Sequence, residues 1–135
     1  PAALNRVQCG AELEQIVAPV AELTQAAVTL VRNGLDSSER ARVTLNLRRA
    51  QGYLILTVRD TGPGMPPEVL RRAAGPFFTT KAPGAGMGLG LYLVRLLAER
   101  WEGSLSLTSN QGVTASLKFP EPAWPSPLLQ GSDTP

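Results

Sequence analysis

The hexapeptide Asp60-Thr-Gly-Pro-Gly-Met65 sets a carboxylate at the end of an apolar run and follows it with two glycines and a proline. A carboxylate at the rim of an apolar layer is costly unless hydrogen-bond donors reach it. The amino group of a planar base such as adenine, held in an apolar slot, would be such a donor. Gly62 and Gly64 would then permit backbone dihedrals, and a close approach to a flat ring, that a side chain forbids. The same residues also make an ordinary turn, started by Asp60 and built on Pro63 and Gly64. Taken alone, the stretch allows both.

Two further clusters suggest phosphate and metal chemistry. Glycine recurs at 84, 86, 88 and 90, just ahead of a helical pattern. Loop glycines before a helix N-terminus let several N–H groups point at phosphate oxygens, and the helix dipole adds to the attraction. The run matches neither Gly-x-x-x-x-Gly-Lys-Ser/Thr nor a Gly-x-Gly-x-x-Gly register after a strand, and a flexible linker has a similar composition. Asn33 lies four residues after Thr29 and three before Asp36. Its amide oxygen is a suitable neutral ligand for Mg²⁺ when phosphates already supply the charge. Asn33-Gly34 is also an ordinary helix-ending pair, opposed only by helical periodicity that continues to Asp36.

These residues need elements to position them. Val20, Leu23, Ala27, Leu30, Val31 and Gly34 recur on one side of a helix expected from Pro19 to Asp36, with Glu22, Gln25, Thr29, Asn33 and Asp36 on the other. Residues 42–48 and 53–60 alternate as two half-buried strands joined by a short turn at Gly52. Parity puts Asp60 in line with Leu54, Leu56 and Val58, on the core side. Pro66-Pro67-Glu68 opens a short helix that Gly75 is placed to end. The segment GPFFTTKAPGAGMGLG predicts a mobile loop, and residues 89–101 a buried helix. Strands follow at 104–109 and 113–119 around an Asn110-Gln111-Gly112 turn. This order implies an α+β, two-layer sandwich, with helices on one face of a mostly antiparallel sheet. Residues 1–18 form a lead-in that includes an edge strand, residues 19–119 the domain, and the proline-rich residues 120–135, Trp124 included, an unpacked tail.

Composition narrows the classes. Thirteen basic and eleven acidic residues leave a net charge of +2, and the basic doublets Arg48-Arg49 and Arg71-Arg72 are not interleaved with aromatics. No nucleic-acid partner is expected. No apolar run approaches the roughly 18–20 residues that cross a bilayer, and the start PAALNRVQCG lacks a signal-peptide layout. A soluble, cytoplasmic domain is expected, and the initial proline suggests a piece of a longer protein whose other parts are open to membrane anchoring. The lone Cys9 has no partner in the chain and is expected to be a small buried or half-buried side chain.

In this order and at these separations, VTLVRNGLDSS, DTGPGM, PFFTTK and GAGMGLGL resemble the N, G1, F and G2 boxes of the ATP-binding catalytic domain of sensor histidine kinases. That family belongs to a wider class with the gyrase, Hsp90 and MutL ATPases. The resemblance covers about residues 19–119, and FFTTK followed by GMGLGLYLVRLLAER is similar to the RegB/PrrB type. It implies ATP and Mg²⁺ as ligands. Asn33 would hold the metal and Asp60 the adenine amino group, with Gly62 and Gly64 shaping that wall. Thr114 would correspond to a threonine that helps hold adenine, often through water. Lys81 and the backbone at Gly86 and Gly88 would attend the phosphates, Asn33 and Lys81 being the catalytic pair. Asp36, Thr79, Thr80, Met87 and Leu89 would complete the nucleotide contacts, and Phe77 and Phe78 would belong to a closing lid. Thr29 stands where the kinase box usually has a first asparagine, Gly34 where alanine is usual, and Glu102 where a glycine is common.

Position 29 bears on the reaction. In the gyrase-like hydrolases a glutamate there acts as general base on water, which Thr29 cannot do. Phosphoryl transfer to a separate acceptor is favoured, with metal and positioning as the main contributions. The family's acceptor is a histidine on a dimerisation domain, and this sequence contains none. The chain is therefore expected to be a monomeric catalytic piece of a homodimeric kinase that passes phosphate on to a response regulator. A serine kinase of the anti-sigma type, an ATP-sensing module without transfer, and a purely structural domain are the alternatives.

Overall fold

The computed structural model describes residues 6–12, 20–75 and 90–120. Strand β1 (Val7–Glu12) precedes helix α1 (Val20–Asp36), then β2 (Val43–Ala50) and β3 (Tyr53–Asp60) form a hairpin. Short α2 (Pro67–Arg72), α3 (Gly90–Arg100), β4 (Ser104–Ser109) and β5 (Val113–Pro120) complete the order. The five strands run β1-β2-β3-β5-β4 across one sheet. Three of the four pairings are antiparallel, and β1 lies parallel to β2 with Val7 opposite Val43. The sheet is therefore mixed, and the edge strand expected in the lead-in is an integral part of it.

Alternation decides which face is covered. Leu54, Leu56 and Val58 of β3 and Ala115, Leu117 and Phe119 of β5 are buried beneath Ala26 and Leu30 of α1 and Val94 and Ala98 of α3. Their sheet partners one residue away, Arg59 and Lys118 among them, point to the uncovered face. Burial of this apolar set is the main source of stability, since each large aliphatic side chain removed from water contributes about 1.5–3 kcal/mol. Among the described residues, no helix is long and apolar enough to cross a membrane.

Two expectations are corrected. The line of α1 against the sheet is Ala26, Leu30 and Gly34, whereas Val20 is 71% exposed. At about 100° per residue Val20 is turned roughly 80° from Leu30, off the contact line. Cys9 is exposed, because β1 is an edge strand and Cys9 falls outside the region roofed by the helices. The helix does continue through Asn33-Gly34 to Asp36. Gly34 is buried where α1 crosses β2 closely: a Cβ there would lie 2.8 Å from Val43 Cγ2 and 3.3 Å from Asp60 Cβ.

One contact anchors the entry of the chain. The guanidinium of Arg6 donates to the carbonyls of Leu35, Ser38 and Ala41, each at 2.7 Å. Helix α1 has no basic residue in its last turn, so Arg6 supplies from outside the positive charge that a helix C-terminus favours.

Candidate functional site

Asp60 closes β3 on the core side, only 7% exposed, as its parity with Leu56 and Val58 requires. Its Oδ1 accepts two backbone N–H groups, from Gly62 at 2.9 Å and from Val113 at 3.2 Å. Among the described residues both donors meet the same oxygen. Oδ2 is left as an acceptor with a fixed direction, which suits a ligand's amino group.

Glycines make this arrangement possible. A Cβ on Gly62 would run into the Ser37 hydroxyl and come within 2.8 Å of Ser37 Cβ, so the loop after β3 lies directly on the end of α1. Gly64 takes φ +79°, and a Cβ there would lie 2.6 Å from Ser109 Oγ. On the other side Gly112, with φ +126°, brings the β4–β5 turn so close that a Cβ would collide with the Asp60 carbonyl oxygen. The loop is tied back to β2 as well, by Thr61 N–H to the Arg42 carbonyl at 3.0 Å and Arg42 N–H to Thr61 Oγ1 at 2.8 Å.

Asn33 sits one position round α1 from Gly34, half-buried. The first residue of α3, Gly90, packs against it: a Cβ at 90 would be 3.7 Å from Asn33 Nδ2, 3.9 Å from its Oδ1 and 3.2 Å from Thr29 Cγ2. The N-terminal end of α3 therefore meets the Asn33 amide. No acidic residue in the first turn of α3 offsets the positive end of its dipole. Asn33 thus borders the start of α3, and the next residue of α1, Gly34, packs against Asp60.

The structure thus gathers Asn33, Asp60, Gly62 and Gly64 into one region, with Asp36 exposed at the end of α1. Thr114 is not brought to Asp60. Register pairs it with Arg59 and Thr108, so its side chain belongs to the uncovered face, and the residue beside the carboxylate is Val113. A shift of one residue along a strand exchanges the two faces, so the motif match that gave Thr114 to the adenine falls one residue from Val113, which faces the carboxylate. Thr79, Thr80, Lys81, Gly86, Met87, Gly88 and Leu89, and with them Phe77 and Phe78, lie outside the described residues, as does Trp124. Sequence reasoning missed Gly112 and Ser109 as parts of the site. The Asn-Gln-Gly turn flagged the first, and nothing local flagged the second.

A donor set with one amide, and no cluster of His, Cys, Asp or Glu able to hold a metal ion among the described residues, fits a cation that arrives with phosphates.

Residues 19–123 match the family described as histidine kinase-, DNA gyrase B-, and HSP90-like ATPase. Sporulation kinase C of Bacillus subtilis (strain 168) is 33% identical over 92 residues, which cover 67% of this chain and 21% of that protein. The chain therefore spans about a fifth of that relative's length. The mycobacterial sensor histidine kinase MprB has the same fold, with a TM-score of 0.73 at 22% identity over 88% of this chain and 91% of that one. Full-length ShkA, solved in complex with AMPPNP, gives a TM-score of 0.74 at 25% identity over 87% of this chain and 26% of ShkA. The likeness is to sensor kinases in general and carries no finer assignment to the RegB/PrrB type.

Proposed function

Because the chain belongs to the histidine kinase-, DNA gyrase B- and HSP90-like ATPase family, and to its sensor-kinase branch, we propose that it is the catalytic part of a longer kinase. In this role it binds Mg-ATP and donates the γ-phosphoryl group to a histidine outside this chain. The observation that carries the base-binding role is the Asp60 carboxylate, with Oδ1 saturated by two backbone amides and Oδ2 left over. A hydrogen bond between a charged acceptor and an adenine amino group, made in an apolar slot, contributes about 1.5–3 kcal/mol. ShkA was solved with an ATP analogue bound, which accords with this role.

Residues of the chain then divide the work. Asp60 and its flanking glycines orient the base, the Asn33 amide oxygen holds Mg²⁺, and the N-terminal end of α3 faces the phosphates. Mg²⁺ held by Asn33 would supply positive charge against the phosphates during transfer. Lys81 and the glycine-rich segment ahead of α3 complete the phosphate contacts in this proposal. Thr29, one turn before Asn33, has no carboxylate with which to activate water, so transfer is favoured over hydrolysis.

The acceptor histidine lies on a dimerisation domain of the longer protein, with a response regulator as the next recipient, and this chain by itself is a cytoplasmic monomer. Incubated with labelled ATP, the chain alone stays unlabelled and a supplied histidine-bearing helical segment acquires acid-labile phosphate. Acid-stable phosphoserine on a partner would instead indicate the anti-sigma type of kinase. Label on the isolated chain, or brisk ADP production without acceptor, refutes the assignment. A nucleotide sensor that does not transfer draws its support from Thr29, which stands where the kinase box usually has a first asparagine. Binding without transfer to any histidine segment identifies it.

A further inference from the structure

On the nucleotide reading above, we propose that Ser109 is the positioning residue of the base pocket, acting on the nucleotide through Asp60. Ser109 is the last residue of β4, half-buried. Its Oγ accepts the Met65 N–H at 2.8 Å and donates to the Gly112 carbonyl at 3.1 Å. One hydroxyl, with one donor and two acceptor lone pairs, thus ties two loops that are 44 residues apart along the chain in the first case.

Those loops hold the two donors that fix Asp60. Gly62 N–H comes from the loop ending at Met65, and Val113 N–H follows directly on Gly112. Both loops also rely on glycine at the point where they meet Ser109 or Asp60. Gly64 leaves room for the Ser109 hydroxyl, and Gly112 leaves room for the Asp60 carbonyl. The Gly112 carbonyl accepts a second bond, from Asn110 N–H at 3.0 Å, so the turn keeps its shape locally. The Met65 N–H has no such second partner among the described residues. Removing the Ser109 hydroxyl therefore takes away the direct side-chain tie between the 61–65 loop and the 110–112 turn, leaving them linked through Asp60 Oδ1. The separation of the two amides on Oδ1 then varies, and with it the direction of Oδ2. The chemical group that senses this is the 6-amino group of the base, so the consequence is a loss of discrimination, beyond any loss of stability.

The test is calorimetric titration of the whole chain with ATP and with inosine triphosphate, which carries a carbonyl in place of the amino group. S109A is expected to weaken ATP about tenfold, as for a misaligned Asp60–amino hydrogen bond, and inosine triphosphate by less than about twofold. S109T, which keeps the hydroxyl, is expected to stay within about twofold of the parent for both. Should S109A not fold, S109C, of similar shape and a weaker hydrogen bonder, reads the same ratio. Equal weakening of both nucleotides, or no change in either, overturns the positioning role. A parent chain that binds both nucleotides equally, or a D60N variant that retains the parent's preference, overturns the nucleotide reading itself and this inference with it.

Discussion

Replacing Gly34 by alanine sets two effects of known sign against each other. In a helix interior alanine is favoured over glycine by about 1 kcal/mol. Here the added methyl would stand 2.8 Å from Val43 Cγ2 and 3.3 Å from Asp60 Cβ, and both neighbours are buried. Val43 is 1% exposed and β-branched, so its rotamer cannot swing away. Overpacking of this kind costs about 1–3 kcal/mol. The difference is a destabilisation of about 1 kcal/mol, and α1 must move off β2 to accommodate it. Because the second contact is Asp60, nucleotide affinity falls as well, by about three- to tenfold for a displacement costing roughly 1 kcal/mol. Urea unfolding measures the first and ATP titration the second. Shortening Val43 to alanine in the same chain returns the space, so G34A/V43A is more stable than the two separate changes predict, with a coupling of about 1 kcal/mol or more. If G34A instead raises stability by the full helical preference and leaves ATP affinity untouched, the packing account of this glycine is wrong.

Three further outcomes are expected. D60N replaces one carboxylate oxygen by an N–H donor, so ATP affinity drops by more than about tenfold in calorimetry while far-ultraviolet circular dichroism is unchanged. Arg6→Ala removes three charge-assisted bonds to the end of α1; chemical denaturation is expected to show a loss of about 2–3 kcal/mol, and Arg6→Lys does not restore it because one ammonium lacks the planar fork. Glu102, two residues past the end of α3, takes φ +61°, so Glu102→Gly relieves left-handed strain and raises stability by about 0.5–1 kcal/mol in the same assay.

Local pattern was enough to place two of the residues proposed to bind nucleotide. Alternation in residues 53–60 put Asp60 on the core side, and helical periodicity carried Asn33 through an apparent stop, because facing depends only on neighbours two or four positions away. Alternation in residues 113–119 likewise puts Thr114 on the face opposite Ala115, Leu117 and Phe119, and its register with Arg59 agrees; its assignment to adenine came from the family resemblance and ran against that pattern. Val20 and Cys9 look like core residues by type, and only the position of α1 over the sheet and of β1 at its edge leaves them exposed.

The amino-acid order by itself settled the two-layer α+β class, the hairpins, the buried acid with its glycines, and the lack of any histidine to accept phosphate. The tertiary structure alone decided that β1 pairs parallel to β2, that Arg6 caps a helix ending about thirty residues later, and that Ser109 bridges Met65 to Gly112. Hydrogen bonds between groups so far apart leave no periodic trace in a sequence. Their geometry exists only once the apolar faces have closed on each other and brought the loop ends together.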